Sequence, residues 1–107
     1  SMEGRVDALV LDASIENIFR DSIVDTGMGR DFGPLSPMDA TRIIQGFERA
    51  SKELIRISTP PVLVTAPDIR RGVWAFVQQR VPGLQVISYR EIESGTPVKP
   101  LAIVRMV

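Results

Sequence analysis

The stretch VLVTAPDIRRGVWAFVQQRVPGLQVISY, Val62 to Tyr89, decides the fold. It opens on Val62-Leu63-Val64, a short apolar run that reads as a buried strand. Pro67 then opens a helix, because an N–H missing from the first turn is one that no helical carbonyl would accept. Ile69, Val73, Phe76 and Val77 recur at helical spacing and face inward, and Pro82-Gly83 ends the helix. Leu84 to Tyr89 is the next strand. A strand–helix–strand unit of this kind nearly always crosses over right-handed and makes its two strands parallel.

Working upstream, Ala8-Leu9-Val10-Leu11 is another buried strand, ended by Asp12-Ala13-Ser14. Ser14 suits the N-cap of a helix reaching about Val24, since its hydroxyl can accept an unpaired first-turn amide. Ile15, Ile18, Phe19 and Ile23 supply that helix's apolar face. Thr26-Gly27-Met28-Gly29-Arg30-Asp31-Phe32-Gly33-Pro34 then reads as a mobile linker between helices. Ser36-Pro37 starts the clearest helix: the serine caps, the proline takes the first helical position and Asp39 favours the positive end. Ala40, Ile43, Ile44, Phe47, Ser51, Leu54 and Ile55 form its inward stripe, with Arg42, Gln45, Arg49, Lys52 and Arg56 opposite. Thr59-Pro60-Pro61 stops it.

Downstream, Glu93-Ser94-Gly95-Thr96-Pro97 is a turn, and Leu101 to Val107 is a fourth strand bounded by Pro100. The order is βααβαββ. It predicts an α/β domain, residues 1–107, with a four-stranded mixed sheet, three helices and an antiparallel pairing of the last two strands. Ser1-Met2 reads as a tag remnant.

The chain has 107 residues, enough for one domain with one core, and no apolar run of membrane-spanning length. It contains neither cysteine nor histidine, which removes thiolate nucleophiles, disulfides and the commonest general base and metal ligand. Net charge is zero, with −3 over residues 1–60 and +3 over residues 61–107. That split is too mild for a nucleic-acid partner. No cofactor or metal site is expected.

The spacing of GMGRDFG is G-x-G-x-x-x-G, one residue off the dinucleotide fingerprint, and it follows a helix rather than a strand. Asp12, at a strand end, is where a phosphoacceptor domain keeps its aspartate, but Thr65 and Tyr89 end the next two strands. Its plainer role is electrostatic, at the start of the first helix. Glu91 and Glu93 read as solvated rim charges. No nucleophile, activator and charge stabiliser come together, so an enzyme is not expected.

Arg70 and Arg71 follow Pro67 where a helix start offers free amides to an anion. Asp68 would repel that anion, and both arginines fall away from the inward face, so a surface role is the stronger reading. Trp74 lies about 100° from the centre of the inward face. Either it covers the gap left by Gly72, or it is an exposed contact residue of the kind enriched at interfaces. Candidate protein-contact residues are therefore Arg70, Arg71, Trp74 and the 27–33 loop with Met28, Arg30 and Phe32. A phosphoacceptor domain using Asp12 and a small anion-binding domain are the alternatives.

The segment PPVLVTAPDIRRGVWAFVQQRVPGLQVISYREI resembles the FHIPEP family (flagella/HR/invasion proteins export pore), the export-gate proteins of type III secretion. That family shows an apolar strand, Ser-Pro-x-x-Arg, an amphipathic helix, Leu-Pro and a strand ending Ser-Tyr-Asn-Glu-Ile. Pro67, Arg70, Val81-Pro82, Ser88-Tyr89 and Glu91-Ile92 fit that order. LVLDASIEN and LSPMDATRIIQGFERASKEL resemble the family's preceding strand and long helix. Departures are Ala66 for the serine cap, which Thr65 would replace, Arg90 for asparagine, and Trp74 where a polar or basic residue is common.

The resemblance implies the last cytoplasmic subdomain of a larger protein, held at the inner membrane by an N-terminal part. It implies a non-enzymatic role in a nine-membered ring, flagellar or injectisome. The implied partners are sister subdomains, other copies, export substrates and their chaperones, with no nucleic acid.

Overall fold

The computed structural model describes residues 4–54 and 62–107. Along the chain run β1 (Val6–Leu11), α1 (Ala13–Asp21), β2 (Ile23–Thr26), β3 (Gly29–Phe32), α2 (Pro37–Lys52), β4 (Val62–Thr65), α3 (Arg70–Val77), β5 (Gln85–Ser88) and β6 (Val98–Val104). A single 3-10 turn, Tyr89–Glu91, follows β5. The expected α/β domain with three helices and a four-stranded sheet is present among these residues.

The sheet order is β5-β4-β1-β6, and every pairing is parallel. The crossover from Val62 to Ser88 therefore stands as expected. The mixed sheet does not: β6 lies beside β1, not antiparallel to β5. Two features explain this. The chain after β5 is not a tight turn, because a capping box between Ser88 and Glu91 first winds it into the 3-10 turn. And β1 offers six residues of ladder where β5 offers four. In β6 the ladder slips by one residue, so that Ala8 faces Pro100 and Leu9 faces Ala102. Pro100 is tolerated there because β6 is an edge strand, where a missing N–H can face away from the ladder.

Leu9, Leu63, Val86 and Ala102 stand in one row across the four strands. With Leu11 and Val104 they pack against Ile15 and Phe19 of α1, Ile43, Phe47 and Ala50 of α2, and Val73, Phe76 and Val77 of α3. Phe19 and Phe76 meet edge to face at 5.5 Å. Gly46 lets α2 come down onto the end of β6: a Cβ there would stand 3.0 Å from the Arg105 carbonyl carbon and closer still to its oxygen.

Helix boundaries differ from the sequence reading in ways the caps explain. Asp12, not Ser14, caps α1, its carboxylate accepting the Ser14 N–H at 3.2 Å and the Ser14 hydroxyl at 2.5 Å. The helix stops at Asp21, because Ile23 and Val24 enter β2. Ser36 caps α2 as expected, accepting the Asp39 N–H at 3.1 Å. That helix ends at Lys52, and the expected stop at Thr59-Pro60-Pro61 lies outside the described residues. α3 begins at Arg70 rather than Pro67, with no side-chain cap, and Thr65 donates its hydroxyl to the Ala66 carbonyl instead of capping. It ends at Val77, so Pro82-Gly83 closes a following turn.

The expected mobile linker is a β-hairpin. Ile23 pairs with Phe32 and Thr26 with Gly29, around a two-residue turn of Gly27 and Met28. Thr26 holds the turn, its hydroxyl donating to the Gly29 carbonyl at 2.7 Å and accepting the Met28 N–H at 3.2 Å. Gly29 has a positive φ of 112°, which a side chain would resist.

Candidate protein-contact site

The hairpin is docked on α3, and this brings part of the candidate set together. A Cβ on Gly72 would lie 2.6 Å from Phe32 Cε1, so only glycine admits the ring. Phe32 therefore fills the gap that the sequence left open for Trp74. Beside it, the Arg71 guanidinium lies 5.1 Å from the Phe32 ring centroid and donates to Asp31 Oδ1 at 2.9 Å. Asp31 also accepts the Phe32 N–H at 2.8 Å. The Arg71 hydrogen bond, then that of Phe32, hold the Asp31 carboxyl below the ordinary carboxylate range.

On the same helix, Arg70 pairs with Glu91 at 3.5 Å, and Glu91 also accepts the Ser88 N–H at 3.0 Å. Trp74 stands one turn on from Arg70 and is 45% exposed. With Phe32 over Gly72, burial of a gap no longer accounts for the indole. Met28, at the hairpin tip, is fully exposed. Arg30 pairs across the hairpin with Asp25 at 3.5 Å, an exposed pair of little energetic weight. Arg71 and Phe32 are thus in contact, Arg70 and Trp74 share the α3 face, and Met28 and Arg30 occupy the outer hairpin.

Neither anion reading gains from this geometry. Arg70 and Arg71 each face a carboxylate, and Asp68 is gripped by Arg20 through Nε at 2.5 Å and Nη2 at 3.1 Å. The Asp68 carboxyl is held below its ordinary range chiefly by that arginine. Asp12 is occupied as the α1 cap and is lowered chiefly by the Ser14 hydroxyl. Among the described residues no three His, Cys, Asp or Glu side chains converge on a metal position.

Two exposed residues escaped the sequence reading. Tyr89 is 48% exposed at the end of β5, and its phenol is pushed up by partial burial and then by Glu16. The sequence marks it only as the end of a strand, and it stands just past β5 at the start of the 3-10 turn. Arg80 lies with its guanidinium 4.4 Å from the Phe76 ring centroid and donates to the Phe76 carbonyl at 2.9 Å. The signal was an arginine four residues after a buried aromatic, the spacing that stacks side chains along a helix.

Between hairpin and helices lies a cavity of about 270 Å³, lined in part by Phe19, Phe32, Gly72, Phe76 and Arg80. The surface is thus aromatic, with its arginines paired to carboxylates, beside an apolar recess.

The FHIPEP family pattern matches residues 1–97. The chain belongs to the FHIPEP family. Protein hrpC2 of Xanthomonas euvesicatoria is 31% identical over 98 residues, which is 92% of this FHIPEP chain and 15% of that protein. The structure of the Chlamydia pneumoniae CdsV protein matches with a TM-score of 0.84 at 29% identity, over 96% of this chain and 29% of that one. CdsV is also known in complex with CdsO. The nonameric EscV cytosolic domain from the type III secretion system matches with a TM-score of 0.67 at 29% identity, over 98% of this chain and 30% of that one. This FHIPEP chain therefore spans about a seventh of the curated relative and under a third of the solved chains. Among its described residues no helix is long and apolar enough to cross a membrane.

Proposed function

We propose that this chain is the last cytoplasmic subdomain of a type III secretion export-gate protein, a non-enzymatic protein-binding unit. It would sit on the cytoplasmic side of the bacterial inner membrane, tethered through the rest of its protein. In the ring its contacts with sister subdomains and other copies set the posture of the cytoplasmic part. Its free surface takes part in docking and handing on export substrates and their chaperones. The observation that carries this reading is the likeness to CdsV along nearly the whole chain, at a TM-score of 0.84. The surface agrees with it. Trp74 is large, apolar and 45% exposed, and lies beside arginines held in place by Glu91 and Asp31. An anchored aromatic flanked by fixed guanidinium groups suits protein contact.

The test is capture of chaperone–substrate complexes by the cytoplasmic part containing this chain. Trp74→Ala and Arg70→Ala are expected to lower capture with melting temperature unchanged. Equal capture by all three proteins removes the α3 face from the function.

A further inference from the structure

The hairpin is tied to the rest of the molecule at few points. β2 and β3 pair only with each other, apart from the four-stranded sheet. Of residues 23–32, Phe32 alone packs against the core cluster, and Val24 to Asp31 are exposed throughout. A two-stranded ribbon standing by itself is marginal in water. The hairpin therefore depends on its seat on α3.

That seat consists of two contacts. The Phe32 ring lies against Gly72, where no side chain could stand. Arg71 joins it, with its guanidinium 5.1 Å from the ring centroid and 2.9 Å from Asp31 Oδ1. Both members of that ion pair are more than half exposed, so it adds little by itself. Nor is the ring packed on every side. The 270 Å³ cavity adjoins it, bounded also by Phe19, Phe76 and Arg80. A ring face that borders a recess forfeits dispersion contacts and has room to move.

The chain on either side of the hairpin is held. Phe19 is buried near the end of α1, and Leu35 packs against the core ahead of α2. Between them the Gly33 N–H donates to the Ser22 carbonyl at 2.7 Å, which closes the base of the hairpin. Gly33 permits that approach, since a Cβ there would stand 3.2 Å from the same carbonyl oxygen. Residues 23–32 can therefore leave α3 while the sheet and the helices stay in place.

We infer that the β2–β3 hairpin is a flap that opens and closes as a unit over the apolar recess, hinged at Ser22 and Gly33 and latched by Phe32 on Gly72 and by Asp31 on Arg71. Opening bares Phe19 and Phe76 at the recess, together with the Gly72 backbone. It also frees Arg71, which stands on the same helix as Arg70 and Trp74. Flap position and the exposed α3 face are thus linked through one guanidinium. The inference holds whether or not that face meets a partner.

The test is amide hydrogen exchange of the whole chain, followed by NMR across a series of low urea concentrations. The paired amides of β2 and β3 are expected to exchange together, at least about 100-fold faster than those of β1 and β4. Their rates should hardly respond to urea, because flap opening exposes little surface, whereas the β1 and β4 rates should rise steeply. Gly72→Ala and Phe32→Ala, which break the latch from its two sides, should each move the hairpin amide shifts toward unfolded values. The β1, β4 and β5 shifts should stay dispersed. Asp31→Asn, a milder change, should speed hairpin exchange about three-fold with every native shift outside the hairpin kept. The inference is overturned if hairpin and sheet amides exchange at one rate with one urea slope. It is equally overturned if Gly72→Ala and Phe32→Ala lose the dispersed β1 and β4 shifts along with the hairpin, or if both keep the hairpin protected.

Discussion

Phe32 occupies the space that any side chain at position 72 would need: its Cε1 lies 2.6 Å from the place of a Gly72 Cβ. The hairpin is therefore seated on α3 through one ring and one glycine. Gly72→Ala would displace the ring and cost about 1–3 kcal/mol, read as a fall in denaturation midpoint. In a Phe32→Ala background the same change should cost nothing or stabilise, because alanine is favoured over glycine in a helix by about 1 kcal/mol. A double-mutant cycle measures that coupling.

Gly46 meets backbone rather than a side chain, since the Arg105 carbonyl lies where its Cβ would stand. A ring can swing aside; a carbonyl at the end of β6 moves only with its strand. Gly46→Ala should therefore destabilise more than Gly72→Ala, by about 3 kcal/mol, and should release Ala102 and Val104 from α2. Denaturant unfolding compares the two variants, and hydrogen exchange of the β6 amides locates the loss.

The cap of α2 gives a smaller prediction. Ser36 accepts the Asp39 N–H at 3.1 Å, so Ser36→Ala should cost about 1 kcal/mol. Ser36→Asp should restore most of it, because a carboxylate accepts the same bond. Thermal melts of both variants check this.

Asp31 and Asp68 have folded pKa values lowered chiefly by Arg71 and Arg20. As pH falls, the unfolded chain takes up these protons first, near the ordinary aspartate value of about 3.9. Their contribution is therefore full above about pH 5 and lost as pH drops through the folded values. Both groups are half-exposed, so each effect is modest and screened by salt. Asp31→Asn and Asp68→Asn should lower stability at neutral pH and flatten the acid limb. Urea midpoints between about pH 2 and pH 7 show this.

The elements that sequence made plain are those whose packing repeats with a period. Ile43 and Phe47 mark α2, Val73, Phe76 and Val77 mark α3, and Val62 to Val64 mark β4, so the crossover was legible. The hairpin was not. Of β2 and β3, only Ile23 and Phe32 are partly buried, so no alternation of apolar and polar residues marks the strands. Its register is fixed by Phe32 on Gly72, a contact between residues forty positions apart. The place of β6 beside β1 depends on competing ladders, which local pattern does not weigh. Of the candidate contact residues, the exposed positions of Arg71, Met28 and Arg30 agree with the pattern, the pattern left Trp74 open between covering the Gly72 gap and standing exposed, and Phe32 is an inward-facing clamp. Arg80 carried only a local signal, its four-residue spacing from Phe76, on whose ring and carbonyl it rests.

The central claim is that this chain works by surface contact with other proteins of an export apparatus, through the exposed face of α3. The most direct measurement is quantitative capture of chaperone–substrate complexes by the ring-forming cytoplasmic part, wild type against Trp74→Ala, with ring assembly checked by mass. The account predicts intact rings and a capture affinity reduced about ten-fold or more by Trp74→Ala. Intact rings with undiminished affinity would contradict it.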